Sequence, residues 1–181
     1  MPYRWLPNAI SLLRIGLVPP ILVLMLNGRF DIALGFFVVA GFSDGLDGFL
    51  AKRYNWQSRA GALLDPIADK LLIAGTFITL AATGHIPIWL AAVVVLRDVV
   101  IVGGAMAYNF LVRPVEGEPT RISKLNTAFE LMFVLFVMSR AGFAWPDRIS
   151  ITVLGAAVLV TVVTSGIVYV RDWTARALDK G

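Results

Sequence analysis

Four aspartates stand between positions 44 and 69 in the stretch SDGLDGFLAKRYNWQSRAGALLDPIADK, inside a chain that is 58% hydrophobic. Asp44 and Asp47 are three residues apart and Asp65 and Asp69 four apart, so on helices each pair shares one face. A short connecting segment makes the two helices antiparallel. At 1.5 Å per residue, Asp47 and Asp65 then lie at matched depth, roughly 6–8 Å inside their helix ends. Four converging carboxylates in a low dielectric either protonate or recruit cations. Oxygen ligands without His or Cys suit hard ions, Mg²⁺ or Mn²⁺, and four acids suffice for a pair of them. Two such ions bridging phosphate oxygens would stabilise charge in a phosphoryl or phosphatidyl transfer. Gly45, Gly48 and Gly61, with Ala51 and Ala62, clear bulk so that a large ligand can reach the backbone. Lys52, Arg53 and Arg59 stand where the far end of a diphosphate would emerge.

The elements that must hold these carboxylates are membrane helices. Mean hydropathy is +0.79 and only 15% of the 181 residues are charged, far more apolar than a soluble domain of this size requires. A bilayer core takes about 20 mostly apolar residues per helix. Dividing the chain at its Gly, Pro and charge clusters gives six spans, at about 7–27, 31–52, 61–83, 86–111, 122–141 and 148–171. No loop is long enough to bury a separate core, so residues 1–181 read as one all-α integral membrane domain. The interspan basic residues divide ten to three between the two sides, the richer side carrying both termini. In a bacterial inner membrane that places the termini and the aspartates at the cytoplasmic face. Arg14 interrupts the first apolar run and no small-x-small site follows, so a cleaved signal peptide is not expected. With no cysteine, disulfides and thiolate metal sites are excluded. The formal charge of +4 sits in short loops rather than along one face, which points to anionic lipid and away from nucleic acid.

Beyond the four aspartates, the spans hold Arg14, Lys70, Arg97, Asp98 and Glu130. Each ionisable group costs at least ~2.5 kcal/mol at a helix centre, so such residues usually face a wet cavity. A structural salt-bridge network with Lys70 or Arg97 is the bland alternative for the aspartates, but two cations poorly neutralise four acids. For Arg97 and Lys124, contact with an acceptor phosphate competes with pairing to Asp98 or to a lipid headgroup. For Arg14, service in the same pocket competes with pairing to a buried acid, and pairing is preferred; for Glu130, an acceptor contact competes with a polar partner on another span, and the partner is preferred. His85 reads as a loop residue.

The aspartate stretch resembles the signature D-x2-D-G-x2-A-R-x8-G-x3-D-x3-D of the CDP-alcohol phosphatidyltransferases, with Asp44, Asp47, Gly48, Ala51, Gly61, Asp65 and Asp69 in register and Lys52 where the family has arginine. LPNAISLLRIG is similar to the family's N-terminal N-x-[LI]-[ST]-x-x-R-[IV] segment. The resemblance implies six transmembrane helices, a homodimer, and a cytoplasm-facing site in which the four aspartates hold two divalent cations. It further implies that Asp69 is the general base, and that Gly48, Ala51, Lys52 and Gly61 meet the CDP-lipid. The acceptor hydroxyl would attack the β-phosphate of CDP-diacylglycerol and CMP would leave. VLRDVVIVGG and ISKLNTAFEL look more like the cardiolipin synthases, which use phosphatidylglycerol, than the phosphatidylglycerophosphate synthases, which use glycerol 3-phosphate. A cation or proton transporter is the competing class, since transporters also use intramembrane acids. Against it, the acids lie near one face and no inverted repeat is evident.

Overall fold

The computed structural model describes the backbone of residues 6–54, 59–111 and 121–178 and, within them, the side chains of 12–43, 68–101, 103 and 122–171. These residues form six helices: α1 (Leu6–Leu26), α2 (Phe30–Tyr54), α3 (Arg59–Ala82), α4 (Ile88–Leu111), α5 (Arg121–Phe143) and α6 (Arg148–Leu178). Each coincides with one expected apolar segment to within a few residues, except that α6 runs on to Leu178. Tyr3, Trp5 and Trp56, aromatic residues close to the ends of the expected spans, lie outside the described residues.

Two helix ends are closed in the same way. At Gly28 (φ 72°) the Gly28 amide donates to the Met25 carbonyl and the Arg29 amide to that of Leu24. At Gly84 (φ 76°) the Gly84 amide donates to Ala81 and the His85 amide to Leu80. Both are Schellman closures, and both need the left-handed backbone that glycine adopts without a Cβ penalty. The α6 start is capped by Asp147, whose carboxylate accepts from the backbone and side chain of Ser150. That hydroxyl holds the Asp147 carboxyl below its usual range.

The Phe30 and His85 rings pack with centroids 4.4 Å apart, so the α1–α2 and α3–α4 turns adjoin. Gly142 of α5 abuts the Asp31 backbone at the start of α2, which brings the end of α5 to the same place. Chain direction therefore alternates from helix to helix, and the aspartate-bearing ends of α2 and α3 lie at the opposite end of the bundle. His85 belongs to the connection between α3 and α4, as expected.

Helix α1 packs on both α2 and α3, α2 on α5, α5 on α6, α6 on α4 and α4 on α3, closing a ring. Across it α3 meets α5, where Phe77 stacks on Phe133 at 5.8 Å. Phe37, Met25, Val94, Met138 and Val158 fill the remaining core. The polarity of this bundle is inverted relative to a water-soluble protein. Arg14, Arg97, Asp98, Asn126, Glu130 and Ser165 are buried, whereas Phe42, Leu96, Ile149, Val153 and Val160 face outward. Such an exterior matches hydrocarbon rather than water. Several hydroxyls, among them those of Thr76, Thr79 and Thr164, donate to the carbonyl four residues earlier, which satisfies them without water.

Two helical stretches among the described residues are long and apolar enough to cross a membrane by composition, Ile122–Phe143 and Arg148–Arg171. Leu12–Leu26 and Phe30–Ser43 are shorter apolar runs. The described side chains of α3 and α4, residues 68–82 and 88–101, are each shorter than a membrane span, so these two helices do not enter that comparison at full length.

Candidate active site

The last of the four aspartates is tied to the first helix. Arg14 Nη1 of α1 donates to Asp69 Oδ1 of α3 at 2.6 Å, with the Arg14 side chain fully buried and that of Asp69 38% exposed. A guanidinium held inside a helical bundle fixes a carboxylate more firmly than a surface pair would, since little water competes for it. Arg14 thus pairs with an acid, but with the partly exposed Asp69 of the aspartate pocket rather than with a buried acid elsewhere, and that partner is the aspartate for which a base role is expected.

This pair lines a cavity of about 60 Å³, large enough for water, together with Ala40 and Gly41 of α2, Leu72 and Ile73 of α3, and Thr127 and Leu131 of α5. Asp69 and the Ala40–Gly41 turn of α2 therefore stand at one level. Ala40, Asp44 and Asp47 follow each other by four and three residues, as do Asp65, Asp69 and Leu72. At about 100° per residue each triplet occupies an arc of roughly 60°. The side chains of Asp44, Asp47 and Asp65, and those of Gly48, Ala51, Lys52 and Gly61, lie outside the described residues, although their backbones belong to α2 and α3.

A second polar cluster lies between α3, α4, α5 and α6. Asp98 Oδ1 accepts from Lys70 Nζ and, at 2.8 Å, from Arg97 Nη1. Arg97 Nη2 donates to Ser123 at 2.9 Å and to Ser165 at 2.6 Å. Lys70 and Arg97, the two cations considered as neutralisers of the aspartates, both turn to Asp98. Among the two roles weighed for Arg97, pairing is the one observed. Lys124 is exposed on the first turn of α5.

Glu130 is fully buried and accepts from Asn126 Nδ2 at 2.6 Å, while Thr161 of α6 donates to Asn126 Oδ1 at 2.9 Å. Glu130 therefore takes its partner from its own helix rather than from another span, and it is Asn126 that reaches across to α6. Ser123, Asn126, Thr161 and Ser165 were not singled out by their sequence context, because a lone Ser, Thr or Asn in an apolar run is equally compatible with bonding its own backbone.

The sequence profile of the CDP-alcohol phosphatidyltransferase family matches residues 4–166. The chain belongs to that family. It is similar to the CMP-forming cardiolipin synthase of Rattus norvegicus, 33% identical over 180 residues that cover 91% of this chain and 60% of that protein. The Homo sapiens cardiolipin synthase gives the same identity and coverage. A probable phosphatidylglycerophosphate synthase of Mycobacterium tuberculosis is 32% identical over 181 residues, covering 96% of this chain and 81% of that protein. The chain thus spans about 60% of the length of the two mammalian relatives. Within this family, the Arg14–Asp69 pair joins the two motif segments, arginine from the first and the final aspartate from the second.

Proposed function

We propose that this protein transfers a phosphatidyl group from CDP-diacylglycerol to the hydroxyl of a glycerol-type acceptor, phosphatidylglycerol before glycerol 3-phosphate, with release of CMP. The observation that carries this is the position of Asp69: in register with the family motif, half-buried, oriented by Arg14, and level with Ala40 and Gly41, one turn before Asp44 on α2. The acceptor oxygen forms a bond to the β-phosphorus, the bond from that phosphorus to the CMP oxygen breaks, and the hydroxyl proton passes to the Asp69 carboxylate. Arg14 holds that carboxylate in one orientation, so the proton is accepted at a fixed point as the nucleophile commits. Gly48, Ala51 and Gly61 leave the backbone open to the CDP-lipid, and Lys52 supplies positive charge at the diphosphate.

An all-carboxylate donor set, with Asp69 half-buried beside a small cavity that could hold water, fits divalent cations. Asp44, Asp47, Asp65 and Asp69 would hold two, Mg²⁺ or Mn²⁺, whose charge when bound neutralises the diphosphate oxygens and lowers the acceptor hydroxyl's pKa.

The six helices are assigned as six spans, with both termini and the aspartate end on the cytoplasmic side of a bacterial inner membrane and a homodimer as the working unit. The outward apolar surface and the basic residues, ten to three in favour of the aspartate end, support this. Lys124, exposed at the start of α5, stands at that same end and is assigned to the acceptor headgroup.

Identities of 33% and 32% to relatives named for different acceptors do not separate phosphatidylglycerol from glycerol 3-phosphate. The deciding experiment gives the purified full chain CDP-diacylglycerol and Mg²⁺ with each acceptor separately, and follows CMP and the lipid product. Cardiolipin from phosphatidylglycerol is expected. Phosphatidylglycerophosphate alone would reassign the acceptor, and ion flux into proteoliposomes without lipid turnover would reject the transferase.

A further inference from the structure

A groove of about 410 Å³ opens on the lipid-facing surface between α4 and α6. Its walls are apolar, formed by Val100, Val162 and Ile167 among others, and it is bordered by two arginines. Arg97 is 4% exposed in its side chain and its Nε has no hydrogen-bond partner among the described residues. Arg171, at the other end of the α6 wall, is exposed.

We infer that this groove seats an acyl chain of the phospholipid acceptor, with the anionic headgroup drawn to the arginine end. Three features specify that occupant. From Val162 to Arg171 the α6 wall is nine steps long, roughly 14 Å at 1.5 Å per residue, which is about half a 30 Å hydrocarbon core and so the depth of one leaflet. The apolar groove ends at a basic residue on the same bundle end as the aspartates, which matches a chain below and a phosphate above. Arg97 both lines the groove and bonds Asp98, which holds Lys70, the residue after Asp69 in sequence, so ion pairs tie the groove wall to α3 beside that position. This assignment rests on the proposed transferase activity and deepens it by favouring a lipid acceptor.

Gly166 forms part of the groove wall, and a Cβ built on it meets nothing within 4 Å. A side chain added there starts in open space at the groove wall. The test compares wild type, Gly166→Leu and Gly166→Phe in the full chain, with Val153→Phe as added bulk elsewhere on the exposed face of α6. CMP release is measured against phosphatidylglycerol at saturating CDP-diacylglycerol. In parallel, phosphatidylglycerol carrying a photoreactive acyl chain is crosslinked and the labelled residues are mapped.

Gly166→Phe is expected to raise the KM for phosphatidylglycerol about tenfold with a smaller change in kcat, the pattern of lost ground-state binding. The KM for CDP-diacylglycerol should stay, Gly166→Leu should fall between, and labelling at Val162 and Ile167 should disappear. An unchanged KM and unchanged labelling, in a wild type that does make cardiolipin, overturn the groove assignment alone. A wild type that releases no CMP with any acceptor overturns the proposed activity, and the crosslinking then decides the groove independently. A change of oligomeric state in Gly166→Phe would give the groove to a second copy of the chain and overturn the lipid assignment.

Discussion

Arg14 and Asp69, 55 residues apart in sequence, meet at 2.6 Å between α1 and α3. With Asp69 as the proposed base, the contact makes the first helix part of the proposed reaction centre rather than a mere anchor. Arg14→Met keeps the length and apolar stem of the side chain but removes the guanidinium. Transfer should fall about 10- to 100-fold, since a misplaced catalytic group loses much of its effect. The stability loss should be about 1–3 kcal/mol, below the range for a fully buried pair because Asp69 is partly exposed. Arg14→Lys keeps the charge without the fork and should recover part of the rate. CMP release and thermal unfolding in one detergent check both, and equal rates in all three proteins would remove Arg14 from the mechanism.

Asp69 and Asp44 should separate when each is changed to asparagine. Asp69→Asn keeps an oxygen donor but cannot take a proton, so transfer should be abolished while metal binding largely persists. Asp44→Asn should weaken the metal site as well, shifting the Mg²⁺ or Mn²⁺ dependence of activity to higher concentration. Titration with Mn²⁺ by electron paramagnetic resonance reads binding apart from turnover. Normal turnover of Asp69→Asn at saturating Mg²⁺ would refute the base assignment.

Asp98 gathers two cations on one oxygen, Lys70 from α3 and Arg97 from its own helix. Asp98→Asn leaves both without their counter-charge in a buried site, which costs about 3–5 kcal/mol. The pair Asp98→Asn with Lys70→Met should be less destabilised than the sum of the single changes, because the second removes a cation the first has stranded. Detergent thermal shifts for the four proteins of the cycle give the coupling directly.

The six helices were legible in the sequence because apolar runs of span length are separated by Gly, Pro and charge clusters, and the breaks at Gly28 and Gly84 are the positions where the backbone turns left-handed. The Asp69 position was legible from spacing, since three- and four-residue intervals fix a helical face without any tertiary information. What spacing could not supply was partner choice. Arg14 had several acids within reach of a bundle, and only the packing of α1 on α3 selects Asp69. Arg97 looked equally suited to a phosphate, and only the approach of α5 and α6 reveals Ser123 and Ser165 as its partners.

Gly142 sets how closely α5 approaches the start of α2. A Cβ there would lie 2.8 Å from the Asp31 amide nitrogen and 3.0 Å from its Cα, distances that backbone atoms cannot relieve by rotating a side chain. Gly142→Ala should therefore push the helices apart, at about 1–3 kcal/mol for an overpacked contact. Gly35 offers the contrast within α2, where an added Cβ meets nothing within 4 Å. Gly35→Ala should be neutral or stabilising by up to about 1 kcal/mol, since alanine is the better helix former. The two variants compared by thermal unfolding in the same micelle isolate the contact from the propensity. Because this contact lies at the bundle end opposite the aspartates, Gly142→Ala should lower the unfolding temperature with little effect on the KM for CDP-diacylglycerol. Equal unfolding temperatures for Gly142→Ala and Gly35→Ala would mean that α5 does not need this close approach to hold its place in the ring.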